Sequence, residues 1–183
     1  MKTGRNTALL LVALMVLSGG CRNPFNPDAR IRFDRFYAGT TGLPILTIQQ
    51  NQASTLKNSI ATVGQIQCQV ALSNKSTVPG RITGYNVVYR QLSTGLPIPS
   101  CGGAAGRRFQ THFIVTALGS NYSTAQDAVI PRYVEMVTDE LLTHIATDLS
   151  TVDGGIDCEV TFYGEDDNGY DIKVEGVLHI DVL

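Results

Sequence analysis

The sequence predicts an all-β fold of the antiparallel β-sandwich class, with one short helix between late strands. Three observations carry this: apolar and polar residues alternate with period two over most of the chain, turn signals separate the alternating runs, and a single run has helical spacing. The expected strands begin at 31–37 and 44–49. Next, Ile66, Cys68, Val70 and Leu72 share one face against Gln65, Gln67 and Gln69, the pattern of a half-buried strand. A β-rich run, Tyr85-Asn86-Val87-Val88-Tyr89, leads into a turn at Ser93-Thr94-Gly95, and further strands are expected at 109–117 and 124–130.

After Pro131, the residues Val134, Val137, Leu141, Ile145 and Leu149 recur at three- and four-residue intervals, with Glu135, Asp139, Glu140 and Asp148 off the stripe. This predicts an amphipathic helix, with Pro131 in its first turn and acids toward the positive end of its dipole. The last two strands, 157–164 and 170–182, flank Asp166-Asp167-Asn168-Gly169. Asn-Gly supplies the positive φ angles of a tight hairpin, so these strands should be antiparallel neighbours. On the first of them Ile156, Cys158, Val160 and Phe162 point one way and Asp157, Glu159 and Thr161 the other. Thr-Gly-Leu-Pro-Ile occurs at both 41–45 and 94–98, a reuse of turn chemistry with no wider repeat around it.

The N-terminus gives an address. Lys2 and Arg5 precede an uncharged apolar run from Ala8 to Leu17, and the small residues Ser18, Gly19 and Gly20 end at Cys21. That is the order of parts in a secretory signal, residues 1–20, and the run is too short to span a bilayer, which needs roughly 20 residues. Leu17-Ser18-Gly19-Gly20-Cys21 resembles the lipobox of bacterial lipoproteins, with Ser18 where the family usually has a bulky aliphatic and Leu17 one place further back. The resemblance implies cleavage before Cys21 and its acylation, so that membrane lipid is the first partner. Several acyl chains anchor stably where one is marginal. Arg22 follows the anchor where some retained lipoproteins carry Asp, which by resemblance favours the outer membrane of a bacterial cell envelope. Residues 21–30 carry two Asn-Pro steps and read as a lipidated tether, and 31–183 form the β-sandwich domain.

Removing twenty residues from 183 leaves 163, enough for one domain with a sizeable core. Hydrophobic residues at 43% and charged residues at 16% fit a folded protein. Without Lys2 and Arg5 the balance is 12 basic to 16 acidic side chains, which argues against a nucleic-acid partner. Residues 22–120 hold 10 Lys or Arg against 2 acids, and residues 121–183 hold 2 against 14. Either strands of the two halves interleave and the signs meet on a solvated surface, or the protein carries a functional dipole.

From about residue 60 the chain resembles the immunoglobulin-like domains of bacterial envelope lipoproteins. Two inward-facing cysteines sit on an early and a late strand, and a Gly-rich hairpin, Phe162 to Gly169, closes the chain. The family's core tryptophan is missing, and Ile156 stands two residues before Cys158 where a corner tyrosine is usual. With Cys68 and Cys158 on inward positions of strands in opposite sheets, an inter-sheet disulfide between them is expected, stabilising by about 4 kcal/mol on the loop-entropy model. Cys101, beside Gly102 and Gly103, is the odd thiol. Arg107 and Arg108 would lower its pKa, yet no histidine lies near it in sequence.

His112 and His179 fall on outward strand positions and His144 on the helix, so neither a metal-ligand spacing nor a triad order emerges. Glu165, Asp166, Asp167, Asn168 and Asp171 crowd oxygen atoms on the last hairpin, a weak Ca²⁺ candidate whose plainer reading is a solvated acidic turn. No catalytic residue and no cofactor is assigned. The expected function is a non-enzymatic, lipid-anchored envelope protein that engages another envelope protein or a copy of itself. The alternative is a periplasmic or surface lipoprotein that binds a small ligand or Ca²⁺ near the 99–108 loop or the 165–171 turn.

Overall fold

The computed structural model describes residues 28–38, 45–58, 68–116, 132–148 and 154–183. The signal sequence, Cys21, most of the tether and the strand expected over 124–130 lie outside these residues. The elements are β1 (Ile31–Ala38), β2 (Ile45–Ile48), α1 (Gln50–Asn58), β3 (Cys68–Asn74), β4 (Gly80–Gln91), β5 (Arg107–Val115), β6 (Arg132–Val134), α2 (Asp139–Thr147), β7 (Ile156–Asp166) and β8 (Asp171–Val182). Short 3-10 turns at Pro99–Cys101 and Gly103–Ala105 separate β4 from β5. The chain is therefore mostly β, in two sheets with strand orders β1, β3, β6 and β2, β8, β7, β4, β5.

Alternation places one face of each sheet in a common core. Val70 and Leu72 of β3, Ile82 and Val87 of β4, Val160 and Phe162 of β7, and Leu178 and Ile180 of β8 are all buried there. Each such side chain, fully removed from water, contributes about 1.5–3 kcal/mol before ordering entropy is charged against it. The β7–β8 hairpin is antiparallel as expected, with Gly169 at φ 77° in the turn. One pairing departs from the antiparallel expectation: β2 runs parallel to β8, Ile45 to Ile48 lying opposite His179 to Val182.

The helices also differ from expectation. α1 was not foreseen, because its sequence is polar and only Ala53 is buried among its described side chains; it packs against α2. α2 starts at Asp139, later than the apolar stripe implied, where the Thr138 hydroxyl accepts from the Leu141 amide as N-cap. Val134 belongs to β6, and residues 135–138 are extended.

Two buried tyrosines explain that extension. The Tyr85 hydroxyl accepts from the Glu135 amide (2.7 Å) and donates to the Glu135 carbonyl (3.2 Å), while the Tyr89 hydroxyl donates to the Met136 carbonyl (3.1 Å). Those backbone groups are thus satisfied without a helical ladder. Tyr85 is held in turn by stacking on Phe109, with ring centroids 5.0 Å apart. Burial pushes the Tyr85 hydroxyl up to about 12, the Glu135 amide bond opposing, and raises Tyr89 as well.

The molecule has two unlike ends. At one, the chain enters β1 beside the turn after β3 and the β7–β8 hairpin. Asn74 knits this end, its Oδ1 accepting from the amides of Ser76 (3.0 Å) and Arg30 (3.3 Å) and its Nδ2 donating to the Val78 carbonyl (2.7 Å). At the other lie α1, α2, the 3-10 turns and the parallel seam, where the Gln50 amide donates to the Leu183 carbonyl (2.7 Å).

Candidate functional site

Among the described residues, a concavity lies on the outer face of the five-stranded sheet, over β4 and β5. The register shifts between Ile82 and Gly84, a bulge that bends the strand and interrupts its side-chain rows. Gly84 is required there: a Cβ would sit 2.7 Å from a Tyr163 ring carbon and 2.9 Å from the Phe109 carbonyl oxygen. In the space it leaves, Tyr163 lies against β4 and its hydroxyl donates to the Tyr85 carbonyl (3.3 Å). The result is an open groove of about 900 Å³, with Tyr163 and Gly84 together with Thr83, Arg108, Gln110 and His112 among its lining residues. Every residue that lines it is neutral or basic in type, so its chemistry suits a neutral or anionic ligand better than a cation.

Across the five-stranded sheet the two charge halves of the chain meet. β4, from the basic half, lies between β7 and β5, and β7 and β8 carry the acids. Arg90 Nε is 2.7 Å from a Glu159 carboxylate oxygen, Arg81 stands opposite Glu165 in register, and Arg107 reaches Glu140 on α2 at 3.0 Å. Interleaving therefore brings opposite signs together. Such exposed pairs are worth about 0–1 kcal/mol each. Further along the sheet His179 bridges two acids, its Nδ1 2.9 Å from Asp157 and its Nε2 2.9 Å from Asp181.

The structure brings a histidine to the 99–108 loop, a juxtaposition with no local signal since the partners are far apart in sequence. Ser100 Oγ lies 3.1 Å from His144 Nδ1 and 3.8 Å from Cys101 Sγ. The amides of Gly102, Gly103 and Gly106 are spent on the carbonyls of Pro99, Ile98 and Gly103, so they do not form an oxyanion hole. Burial raises the Cys101 thiol above its ordinary 9.0, outweighing the Ser100 hydrogen bond and the Arg107 charge that lower it.

Cys68 and Cys158 lie in opposite sheets, as expected, and both are fully buried. The expected disulfide between them is not found in this structure. Burial pushes the Cys68 thiol up to about 12 and the Cys158 thiol well above 9.0.

The acidic hairpin also resolves. Asp166 is turned inward and only 4% exposed; its carboxylate accepts from the amides of Ala29 (2.8 Å), Asn168 (2.9 Å) and Tyr170 (2.9 Å). Glu165, Asp167 and Asp171 point to solvent. Asp166 is therefore a structural residue that caps the turn and moors the incoming chain. Among the described residues no group of three His, Cys, Asp or Glu side chains is placed to hold a metal ion. Strand parity carried the signal for Asp166, since it shares the inward register of Cys158, Val160 and Phe162.

No protein-family model matches this chain, and no curated protein matches it significantly.

Proposed function

We propose that the protein is a non-enzymatic lipoprotein of the bacterial envelope, acylated on Cys21, whose β domain is an immunoglobulin-like sandwich that serves as a rigid platform for protein contact. The N-terminal pattern from Lys2 to Cys21 supports the anchor. Two sheets over one core, with buried cysteines in each and a closing β7–β8 hairpin, support the immunoglobulin-like reading. The observation that carries the platform is the outer face of the five-stranded sheet, where Arg108, Gln110 and His112 of β5 edge a groove with Tyr163 of β7.

A photo-crosslinking residue at Gln110 in intact cells tests this. The expected result is a discrete protein adduct that is not seen from the same probe at Ser93 and that weakens as salt approaches 1 M, where the screening length is about 3 Å. Equal adducts from both positions, or salt-independent yield, would count against it.

A second reading has the groove itself behind it. An open groove with aromatic rings and several hydrogen-bonding side chains fits an extended polar ligand. A thermal-shift screen against metabolites and metal ions separates the readings, because a ligand raises the melting temperature with its occupancy.

A further inference from the structure

We infer that the domain stands on the membrane in one orientation, with the end formed by the 75–79 turn and the β7–β8 hairpin facing the lipid surface and the helix end facing away. The inference rests on the anchoring proposed above and adds its geometry.

The chain enters the domain at a fixed place. The Ala29 amide donates to the buried Asp166 carboxylate (2.8 Å), the Arg30 amide to Asn74 Oδ1 (3.3 Å), and the Arg30 carbonyl accepts from the Lys75 amide (2.9 Å). β1 then continues the grip, Ile31 pairing with Asn74. The point of attachment is thus tied to both turns, and the Asp167 amide ties the turns to each other through the Pro79 carbonyl (3.2 Å). Eight Cα-to-Cα steps lead from Cys21 to Ala29. At full extension they reach no more than ~28 Å, and their two Asn-Pro steps restrict the backbone further.

The opposite end lies much further out. β4 runs twelve residues, from Gly80 beside the hairpin to Gln91. At ~3.4 Å per residue it spans ~37 Å, longer than the tether itself. A body whose height exceeds its leash, held by one end, cannot invert so that its far end meets the surface beneath the attached one. α1, α2 and the exposed Leu92 and Leu96 then face away from the lipid. The groove at Gly84 and Tyr163 opens sideways, about four residues above the lipid-facing end, so a partner meets it alongside the domain.

Energy transfer on the full lipidated protein in vesicles tests this. Asp167→Cys and Ser93→Cys place single exposed thiols at the two ends, and the buried native thiols do not compete for label. With a fluorescent donor on each variant in turn and a headgroup-linked acceptor lipid, transfer from position 167 should exceed that from position 93 several-fold. Equal transfer from the two positions overturns the inference, since it means free tumbling, and a larger signal from position 93 overturns it by inversion. Flotation distinguishes the underlying failure: protein that does not float with vesicles removes the anchor, whereas floated protein with equal or inverted transfer removes only the orientation.

Discussion

Replacing Asp166 with alanine removes one carboxylate that three backbone amides share. A hydrogen bond to a charged group is worth about 1.5–3 kcal/mol, and an amide left dry loses its full solvation. Asn168 is exposed and its amide regains water at little cost, whereas Ala29 and Tyr170 are partly buried. The two partly buried amides set the scale, and the loss should be about 2–4 kcal/mol. For a domain of this size that is a fall in melting temperature of roughly 5–15 °C.

Asp166→Asn sharpens the test. Its remaining carbonyl oxygen keeps the amides of Asn168 and Tyr170, but its NH₂ group meets the Ala29 amide donor to donor. The loss should be about half that of alanine, with hydrogen-exchange protection gone at Ala29 and retained at Tyr170. Urea titration gives the energies and exchange the location. An alanine variant within about 0.5 kcal/mol of the parent, the range of ordinary surface changes, would refute the mooring role.

Other perturbations have equally definite outcomes. Tyr85→Phe removes both hydrogen bonds to the exposed Glu135 backbone and should cost about 0.5–1.5 kcal/mol by urea titration. Thr138→Ala removes the cap of α2 and should cost about 1 kcal/mol, read by thermal melting. Stability should fall as pH rises through the alkaline range. The thiol of Cys68 ionises near 9.0 unfolded and about 12 folded, and Tyr85 near 10.0 and about 12. The unfolded chain therefore releases protons first, and the full contribution present below pH 9 is lost by about 12. Chemical denaturation from pH 8 to 11 follows this, with Tyr85→Phe flattening the slope. The three buried thiols should resist an aromatic disulfide reagent until the protein is denatured, and then all three should react; reaction of only one would mean that the other two are joined.

What the sequence revealed follows from how local each feature is. The β7–β8 hairpin was readable because Asn168-Gly169 encodes its own turn and the flanking alternation encodes its own faces. The extent of α2 was not, because the spacing of Val134 and Val137 suits a helix as well as a buried extended segment. The choice was made by Tyr85 and Tyr89, about fifty residues away. α1 escaped because its sequence is polar, with Ala53 the one buried side chain among those described. At the hairpin, composition showed a group of acids, while the parity that turns Asp166 inward was present but outweighed by its charge. The groove arises from a bulge at Gly84 that cancels alternation locally, and Ser100 meets His144 only through the tertiary fold. The lipidation proposed at Cys21 rests on the N-terminal sequence pattern, and Cys21 lies outside the described residues.

Mass analysis of the N-terminal peptide of the native, membrane-extracted protein bears most directly on the anchor. The expected species begins at Cys21 and carries the mass of attached acyl chains. A peptide that retains Met1, or one that begins at Cys21 with no lipid, contradicts the proposed location and the role built on it.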